Sequence, residues 1–192
     1  MNLDGPVDVV APLLLGCLLT AHGVTVRLTE VEAYAGQGQD PGSHAHRGPT
    51  PRSEIMFGPA GRLYVYFTYG MHWCANVVTG PVGQAAAVLL RAGEVVSGVE
   101  VARGRRPGVG DRDLCRGPAR LCRALALDGD DLGADLLDPA SPVRLLEGGH
   151  DAEVLRGPRV GVARGAETPW RFWLAGERTV SPYRSSVRRV RG

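Results

Sequence analysis

The stretch from residue 62 to residue 79, RLYVYFTYGMHWCANVVT, constrains the fold more than any other part of the chain. Two segments rich in aromatic and β-branched residues are separated only by Tyr69, Gly70 and Met71. Such side chains favour strands, and a connection this short joins antiparallel neighbours because parallel strands need a long crossover. The stretch therefore predicts a β-hairpin, and with it an antiparallel sheet.

The first strand of this hairpin has two different faces, because side chains at alternate positions point to opposite sides of a sheet. We expect its apolar set to face the core; these residues are Leu63, Val65 and Phe67. The opposite set is Tyr64, Tyr66 and Thr68. Tyr69 lies at the tip, where an exposed ring suits stacking on a nucleic-acid base. An ordinary amphipathic hairpin whose tyrosine hydroxyls contact water explains the same spacing.

The stretch VTVRLTEVEAY, residues 24–34, alternates as a further strand. One of its faces begins with aliphatic side chains and ends with Glu30, Glu32 and Tyr34. This change of polarity indicates a strand that leaves the core and reaches a site. A carboxylate between rings in a partly dry pocket can act as a general base toward water. Taken singly, Glu32 fits the role of a surface glutamate as well.

The rest of the chain predicts more strands and two helices. The predicted elements are a helix running into a strand over 8–21, a strand over 85–92, a helix within 113–127, and strands over 158–164 (PRVGVAR) and 170–176 (WRFWLAG). Segment 35–61 is rich in Gly and Pro and long for a loop, which is typical of functional or disordered segments. Together the elements predict an α+β fold with a mostly antiparallel sheet, in a single compact domain over residues 1–192.

All 22 basic residues of the chain are arginine. Without lysine, no side-chain amine is available for Schiff-base catalysis, so a reaction here should use water or another side chain. Residues 103–123 hold seven arginines against two aspartates, and the tail YRSSVRRVRG, residues 183–192, is basic without any acid. A one-sided basic surface is typical of a polyanion partner. Arginines that balance nearby acids give the same composition.

The cysteines and the N-terminal segment bear on the compartment. Four cysteines are scattered without a C-x-x-C pair, which favours buried thiols over a structural zinc site. The apolar run from Val9 to Leu19 follows no positively charged segment, contains Pro12 and is too short to span a bilayer. We therefore expect a soluble, cytoplasmic protein without a membrane partner.

Segments along most of the chain resemble those of the alkyladenine (3-methyladenine) DNA glycosylases of the mammalian-type fold, a family also found in many bacteria. The matching segments, in the family's order, are TEVEAY (29–34), SHAHRGPTPR (43–52), MFGPAGRLYVYFTYGMHWCANVV (56–78), AVLLRA (87–92), RGPARLCRAL (116–125), RVGVAR (159–164) and PWRFW (169–173). The central segment is long and specific. The chain is identified as a bacterial member of this family.

The resemblance implies a fold, an activity and a partner. The fold would be a compact domain with a curved sheet flanked by helices and a protruding hairpin. The activity would be monofunctional excision in base excision repair, in which an alkylated or deaminated purine is flipped from double-stranded DNA and its N-glycosidic bond is hydrolysed to leave an abasic site. The enzyme would act as a monomer at the nucleoid, without metal or cofactor. A non-catalytic lesion-binding protein is the main alternative, and a hydrolase of free nucleosides is a third reading.

The resemblance also assigns catalytic and specificity roles. Glu32, in VEAY, matches the general base that activates the attacking water, and Arg91, in VLLRA, matches an arginine that helps to hold this water. The backbone carbonyl of Val160 matches a third group around the water. Asn76 matches an asparagine that clashes with the exocyclic amine of guanine.

The slot for the flipped base would be built from three rings. Tyr34 matches one wall, and His44 with Tyr66 matches the opposite wall. The register of the histidine rests on the preceding Ser43, with one residue fewer before TPR than in the family. His46 therefore remains an alternative to His44.

Three residues match the family's DNA-binding surface. Tyr69 matches the hairpin-tip side chain that fills the gap left by the flipped nucleotide, and Met71 and Arg52 match DNA contacts beside it. Ser53 departs from the family pattern, in which asparagine follows TPR. This departure puts the order of the loop or its contacts to the DNA backbone in doubt, and leaves the chemistry unaffected.

Overall fold

Two eleven-residue strands, β2 and β5, form the centre of one antiparallel sheet. The computed structural model describes residues 1–186, so the end of the basic tail, residues 187–192, lies outside the described residues. The strands are β1 (Leu18–Ala21), β2 (Val24–Tyr34), β3 (Leu63–Thr68), β4 (His72–Val78), β5 (Ala87–Ser97), β6 (Val143–Leu146), β7 (Val154–Gly157) and β8 (Arg171–Leu174). The helices are α1 (Val7–Leu13), α2 (Val99–Arg105) and α3 (Pro118–Leu125). All named strand pairs are antiparallel, which confirms the predicted α+β class.

Strand β2 accounts for the curvature of the sheet. The strand order is β3-β4-β5-β2-β1-β6, and β8, with β7 beside it, pairs with the second half of β2. The register between β2 and β5 shifts between Leu28 and Glu30 and again between Glu30 and Val31. Such bulges bend a strand and increase its twist. The half of β2 that contains Glu30 and Glu32 is therefore enclosed between β5 and β8.

Helix α3 packs the main core against the sheet. Its buried residues, Leu121, Cys122, Ala124 and Leu125, recur at helical spacing, and the helix lies against β4 and β5. Pro118 occupies its first turn, where a missing N–H costs no hydrogen bond. Within residues 1–186, no helix combines the length and the apolar character needed to cross a membrane. The four cysteines are free and buried, as predicted.

The Gly- and Pro-rich segment 35–61 folds onto the opposite face of the sheet. It consists of turns and one 3-10 helix at Glu54–Phe57. The small second core beneath it contains the buried residues Ala45, Met56, Tyr64, Val78, Ala85 and Ala87. Ser53 is fully buried, accepts from the Thr50 N–H at 3.0 Å and donates to the Gly48 carbonyl at 3.3 Å. The serine that departs from the family pattern thus holds this loop from inside.

The prediction of a strand over 158–164 was wrong. Arg159 turns inward to a buried ion pair and Gly161 has a positive φ of 71°, so the segment forms a loop. The strand predicted over 85–92 begins at Ala87 and continues to Ser97. The elements α2, β6 and β7 were not predicted. Instead of extending the sheet, the loop over 158–164 borders a cavity beside the hairpin.

The outer half of the β3–β4 hairpin projects beyond the sheet. Strand β4 pairs with β5 only over Asn76–Val78, so the residues nearer the tip have no further strand beside them. Phe67, predicted to face the core, is 46% exposed for this reason, and its ring packs on Trp73 at 4.8 Å between centroids. Leu63 and Val65, nearer the sheet, are buried as predicted. The hairpin is therefore a core element at its base and a surface element at its tip.

Candidate active site

A cavity of about 480 Å³ opens beside the hairpin, where β2, β4 and β5 meet the loops at 41–44 and 160–164. Seven of the ten predicted site residues line it, namely Tyr34, His44, Tyr66, Tyr69, Asn76, Arg91 and Val160. Glu32 has no exposed surface and lies behind this lining. Arg52 and Met71 are exposed outside the cavity. The fold thus gathers residues from five separate segments of the chain around one cavity.

The Glu32 carboxylate is fixed by three donors that belong to residues of the cavity wall. Oε1 accepts from the backbone N–H of Val160 at 2.7 Å, and Oε2 accepts from the Tyr34 hydroxyl at 2.8 Å. Arg91 Nη1 lies 3.3 Å from Oε2. Val160, predicted to act through its carbonyl, therefore contacts Glu32 through its N–H. Since a carboxylate offers about four acceptor positions, one position remains for a further donor.

The Tyr34 ring forms one wall and is supported from behind by an arginine. The Arg159 guanidinium lies 4.5 Å from the ring centroid of Tyr34 and 5.6 Å from that of Trp170. Arg159 is buried and forms a two-point ion pair with Asp40, at 2.6 and 2.8 Å. Burial, and then the nearby Glu32 carboxylate, raise the pKa of the Tyr34 hydroxyl well above its usual value. The hydroxyl therefore stays protonated and donates to Glu32.

His44 and Tyr66 form a second aromatic group in the cavity. Their ring centroids are 4.7 Å apart with the planes at 80°, and His44 Nδ1 shares a hydrogen bond of 3.0 Å with the Tyr64 hydroxyl. Of the two candidate histidines, His44 lines the cavity and His46 does not. Desolvation, followed by the positive charge of Arg52, lowers the pKa of His44 to about 4. The ring is therefore neutral at pH 7.

Asn76 and Cys74 line the cavity from strand β4. The Asn76 side chain is buried and donates through Nδ2 to the backbone carbonyl of Tyr64 at 3.0 Å, which fixes its amide group. Burial raises the pKa of the Cys74 thiol. A thiol that stays protonated is a poor nucleophile. The amide therefore gives this part of the lining a fixed polar group, and the cysteine contributes bulk.

The hairpin tip holds a large ring in a strained backbone conformation. Tyr69 is 87% exposed and has a φ of 51°, followed by Gly70 with a φ of 62°. The Met71 N–H donates to the Thr68 carbonyl at 3.1 Å, which closes a turn with positive φ at both central residues. A residue with a side chain held in this region costs on the order of 1–3 kcal/mol. At 87% exposure, the ring gains little packing among residues 1–186 to offset this cost.

The arginines of residues 103–123 serve mainly the fold. Arg103 forms an ion pair with Asp111. Asp113 forms ion pairs with both Arg112 and Arg116. Three more arginines donate to backbone carbonyls, namely Arg105, Arg106 and Arg123. This cluster therefore fits the interpretation of arginines that balance nearby groups. Arg52 differs, because it lies at the hairpin, 4.7 Å above the Tyr66 ring, and donates to the Phe67 carbonyl at 3.2 Å.

Comparison with known proteins decides the family of the chain. A family model described as methylpurine-DNA glycosylase matches residues 1–178. The chain belongs to the methylpurine-DNA glycosylase family. A relative from Frankia casuarinae is 53% identical over 189 residues, which cover 93% of this chain and 89% of the relative. Relatives from Nocardia farcinica (54% over 182 residues, 91% and 86% covered) and Cutibacterium acnes (44% over 194 residues, 94% and 97% covered) are also similar, and all three are named "Putative 3-methyladenine DNA glycosylase".

Several buried charged or polar residues that support the site from behind were given no role from the sequence, although Glu30 was placed on the face of β2 that reaches the site. They are Glu30, Asp40, Arg159, Arg171 and the polar Ser181. Glu30 had a usable signal in the sequence, since it precedes Glu32 by two residues in β2 and therefore lies on the same face of the strand. The structure shows that both are fully buried. Asp40 and Arg159 had no such signal, because they are 119 positions apart and meet only in the folded chain.

Proposed function

We propose that this chain is a monofunctional DNA glycosylase, which flips a damaged purine out of duplex DNA and hydrolyses its N-glycosidic bond. Membership of the methylpurine-DNA glycosylase family supports the reaction class, and the names of the relatives support a methylated purine as substrate. The observation that carries the proposal is the position of Glu32. This buried carboxylate is held by Tyr34, Arg91 and Val160, all of which line a cavity with aromatic walls.

In the proposed reaction, Glu32 accepts a proton from a water that attacks C1′ of the sugar. The C1′–N bond breaks on the opposite side, and its electron pair leaves with the base. The transition state has oxocarbenium character, as in other glycoside cleavage, so the fixed negative charge of Glu32 also stabilises it. Hydrogen bonds at catalytic sites commonly tighten only with substrate bound. The buried position of Glu32 is therefore compatible with its role as a base.

Three rings provide the surface for the flipped base. An N3- or N7-alkylated purine is cationic, and a cation over an aromatic ring gains about 0.5–2 kcal/mol. The neutral His44, with Tyr66 and Tyr34, offers such a surface without charge repulsion. A cationic base also leaves without first gaining a proton, so no second carboxylate is needed as an acid. Asn76, fixed by the Tyr64 carbonyl, would reject the exocyclic amine of an unmodified guanine.

The proposal predicts base release without strand cleavage. Wild-type protein should release the alkylated purine from duplex DNA, and the DNA should break only after treatment with alkali. The reason is that the chain has no lysine to form a Schiff base with the abasic sugar. Chromatography of the freed base and gels with and without alkali provide the measurement. Tight lesion binding without release would indicate a lesion-binding protein instead, and release from free nucleosides at the same rate would indicate a nucleoside hydrolase.

A second prediction concerns the exposed ring at the hairpin tip. Tyr69→Ala should weaken binding to duplex DNA with a flipped or abasic site by about 5- to 150-fold, since stacking contributes about 1–3 kcal/mol per ring. Tyr69→Phe keeps the ring and should bind as wild type does. Fluorescence anisotropy with lesion and undamaged duplexes measures the effect. Unchanged affinity of the alanine variant would contradict the role of Tyr69 as the side chain that fills the gap.

A further inference from the structure

Glu30 is a second buried carboxylate directly beside the proposed base, and its side chain has no exposed surface. Oε1 accepts from Arg91 Nε at 2.9 Å, Arg171 Nε at 2.7 Å and Ser181 Oγ at 2.9 Å. Oε2 accepts from the backbone N–H of Ser181 at 2.6 Å. The proposed reaction does not use Glu30 directly. A buried carboxylate with every partner in place is a rigid anchor, because moving it would leave charges unpaired in a medium of low polarity.

Arg91 connects this anchor to the proposed base. Its Nε is bound to Glu30 Oε1, and its Nη1 lies 3.3 Å from Glu32 Oε2. A guanidinium group is planar and rigid, so fixing Nε also fixes the direction of both Nη atoms. In this orientation only Nη1 has an ion pair with Glu32. A free Arg91 could instead turn both donors of its fork onto Glu32, the bidentate geometry that guanidinium and carboxylate favour.

A C-terminal strap, residues 177–184, holds the anchor in place. Beyond its two bonds to Glu30, Ser181 accepts through its carbonyl from Arg171 Nη2 at 2.7 Å. Further along the strap, the Arg184 carbonyl accepts from the Gly161 N–H at 2.9 Å. Gly161 follows Val160, whose N–H binds the other oxygen of Glu32. Arg91 Nη2 also donates to Ser181 Oγ at 3.4 Å, so the strap contacts Arg91 itself and the residue after Val160, two of the three donors to Glu32 being supported by it.

We propose that Glu30 and Ser181 are positioning residues for the catalytic pair. Glu30 retains Arg91 by Nε, so that Arg91 shares one donor with Glu32 and leaves an acceptor position on that carboxylate open to the attacking water. Ser181 fixes Glu30 and also accepts from Arg91 Nη2, and through both contacts it sets the orientation of Arg91. This role rests on the proposed function of Glu32 as base. Ser181 lies beyond residue 178, where the match to the family model ends.

Three variants test the role. Glu30→Gln should slow single-turnover base release by about 100-fold, the loss that a displacement of about 1 Å causes at a reacting centre. Ser181→Ala removes one of the four donors to Glu30 and the acceptor for Arg91 Nη2, and it should slow release by about 10-fold, the effect of losing a hydrogen bond to a charged group. Ser181→Thr restores the hydroxyl and should return the rate to near that of wild type. Affinity for lesion duplex, measured by anisotropy, should stay unchanged in all three.

A matched control comes from the same strap. Thr179 shares a buried hydrogen bond of 2.8 Å with Thr29 and has no bond to Glu30 or Arg91. Thr179→Val breaks this bond and leaves the contacts of Ser181 with Glu30 and Arg91 in place, so its thermal midpoint should fall while its rate of release stays near that of wild type. Crystal structures of the Glu30→Gln and Ser181→Ala variants should show Arg91 turned further toward Glu32, a readout that does not depend on activity.

Each result decides between the two proposals. Wild-type rates in both Glu30→Gln and Ser181→Ala, beside a slow Glu32→Gln, would overturn the positioning role alone. A rate loss in Thr179→Val equal to that in Ser181→Ala, or a loss that Ser181→Thr does not restore, would reduce Ser181 to a structural residue and overturn its part. Base release by Glu32→Gln at the wild-type rate, or no release by the wild type, would overturn the proposed function and the positioning role together.

Discussion

Glu32→Gln should slow single-turnover base release by about 100- to 10,000-fold, the range that a positioned general base contributes. Glutamine keeps the length and shape of the side chain but does not accept a proton from water at neutral pH. Binding to lesion duplex should be retained, because the aromatic lining and the hairpin tip are unchanged. Rapid-quench measurement with enzyme in excess over DNA isolates the chemical step from product release.

The surroundings of Glu32 add a structural cost to this substitution. Both carboxylate oxygens accept hydrogen bonds, one from Val160 N–H and the other from Tyr34 and Arg91. Because a glutamine presents an NH₂ group to one of these sides, one donor must face another. An unpaired buried group costs about 1–3 kcal/mol, so the thermal midpoint should fall as well. Rates must therefore be compared at a temperature where both proteins are fully folded.

An exposed glutamate provides the control for this experiment. Glu54, at the start of the 3-10 helix at Glu54–Phe57, is exposed, and Glu54→Gln should release base at the wild-type rate. A positioned general base contributes at least about 100-fold to the rate. A Glu32→Gln variant that retains more than about a tenth of the wild-type rate would therefore show that another group is the base.

The parts of the fold that follow from neighbouring residues were predictable from the sequence. The alternation in VTVRLTEVEAY and the short Tyr69–Met71 connection are local patterns, and β2 and the β3–β4 hairpin form as predicted. The inward side of the hairpin was predicted only at its base. The length over which β4 pairs with β5 depends on where β5 lies. Because this pairing covers only Asn76–Val78, no strand covers the tip and Phe67 is exposed.

The support of the site could not be predicted, because its partners are far apart in the sequence. The donors to Glu30 come from positions 61, 141 and 151 residues away. No periodic pattern relates such positions. The segment 158–164 was wrongly predicted to be a strand. Its alternation is typical of a strand, but Arg159 forms a buried ion pair with Asp40 and the segment is a loop. A single buried charge pair outweighs the weak β-preference of a short segment.

The family resemblance assigned residues that spacing alone could not distinguish. Spacing placed Tyr64 and Tyr66 on one face, and both line the cavity; the structure separates them by burial, since Tyr64 is fully buried in the second core and Tyr66 is half-buried. The structure also separates His44 from His46, since only His44 lines the cavity. Contact of Tyr66 and His44 with the flipped base remains a prediction.

Asp40→Asn should lower the free energy of unfolding by about 3–5 kcal/mol, the cost of removing one partner of a buried ion pair. Asp40 binds both terminal nitrogens of Arg159 and also accepts from the Gly42 N–H at 2.9 Å. The asparagine keeps the bond from Gly42 but removes the carboxylate that forms the ion pair with Arg159. Urea unfolding should show a lower midpoint with an unchanged slope, because the surface exposed on unfolding stays the same.

An exposed ion pair serves as the control for Asp40→Asn. Arg103 and Asp111 form a similar two-point pair, but both side chains are largely exposed. Asp111→Asn should therefore unfold at nearly the wild-type urea concentration, since solvent screens such pairs. Equal midpoints for Asp40→Asn and Asp111→Asn would contradict the expected large contribution of the buried Asp40–Arg159 pair to the free energy of unfolding.

The double variant Asp40→Asn with Arg159→Met separates stability from function at this pair. If the cost of Asp40→Asn comes from the uncompensated charge, replacing Arg159 by an apolar side chain of similar volume should recover most of the lost stability. Arg159 also lies 4.5 Å behind the Tyr34 ring and directly precedes Val160, which binds Glu32. The double variant should therefore regain stability without regaining the full rate of base release. A rate that returns together with the stability would mean that the pair supports the fold and leaves the position of Tyr34 and Glu32 unaffected.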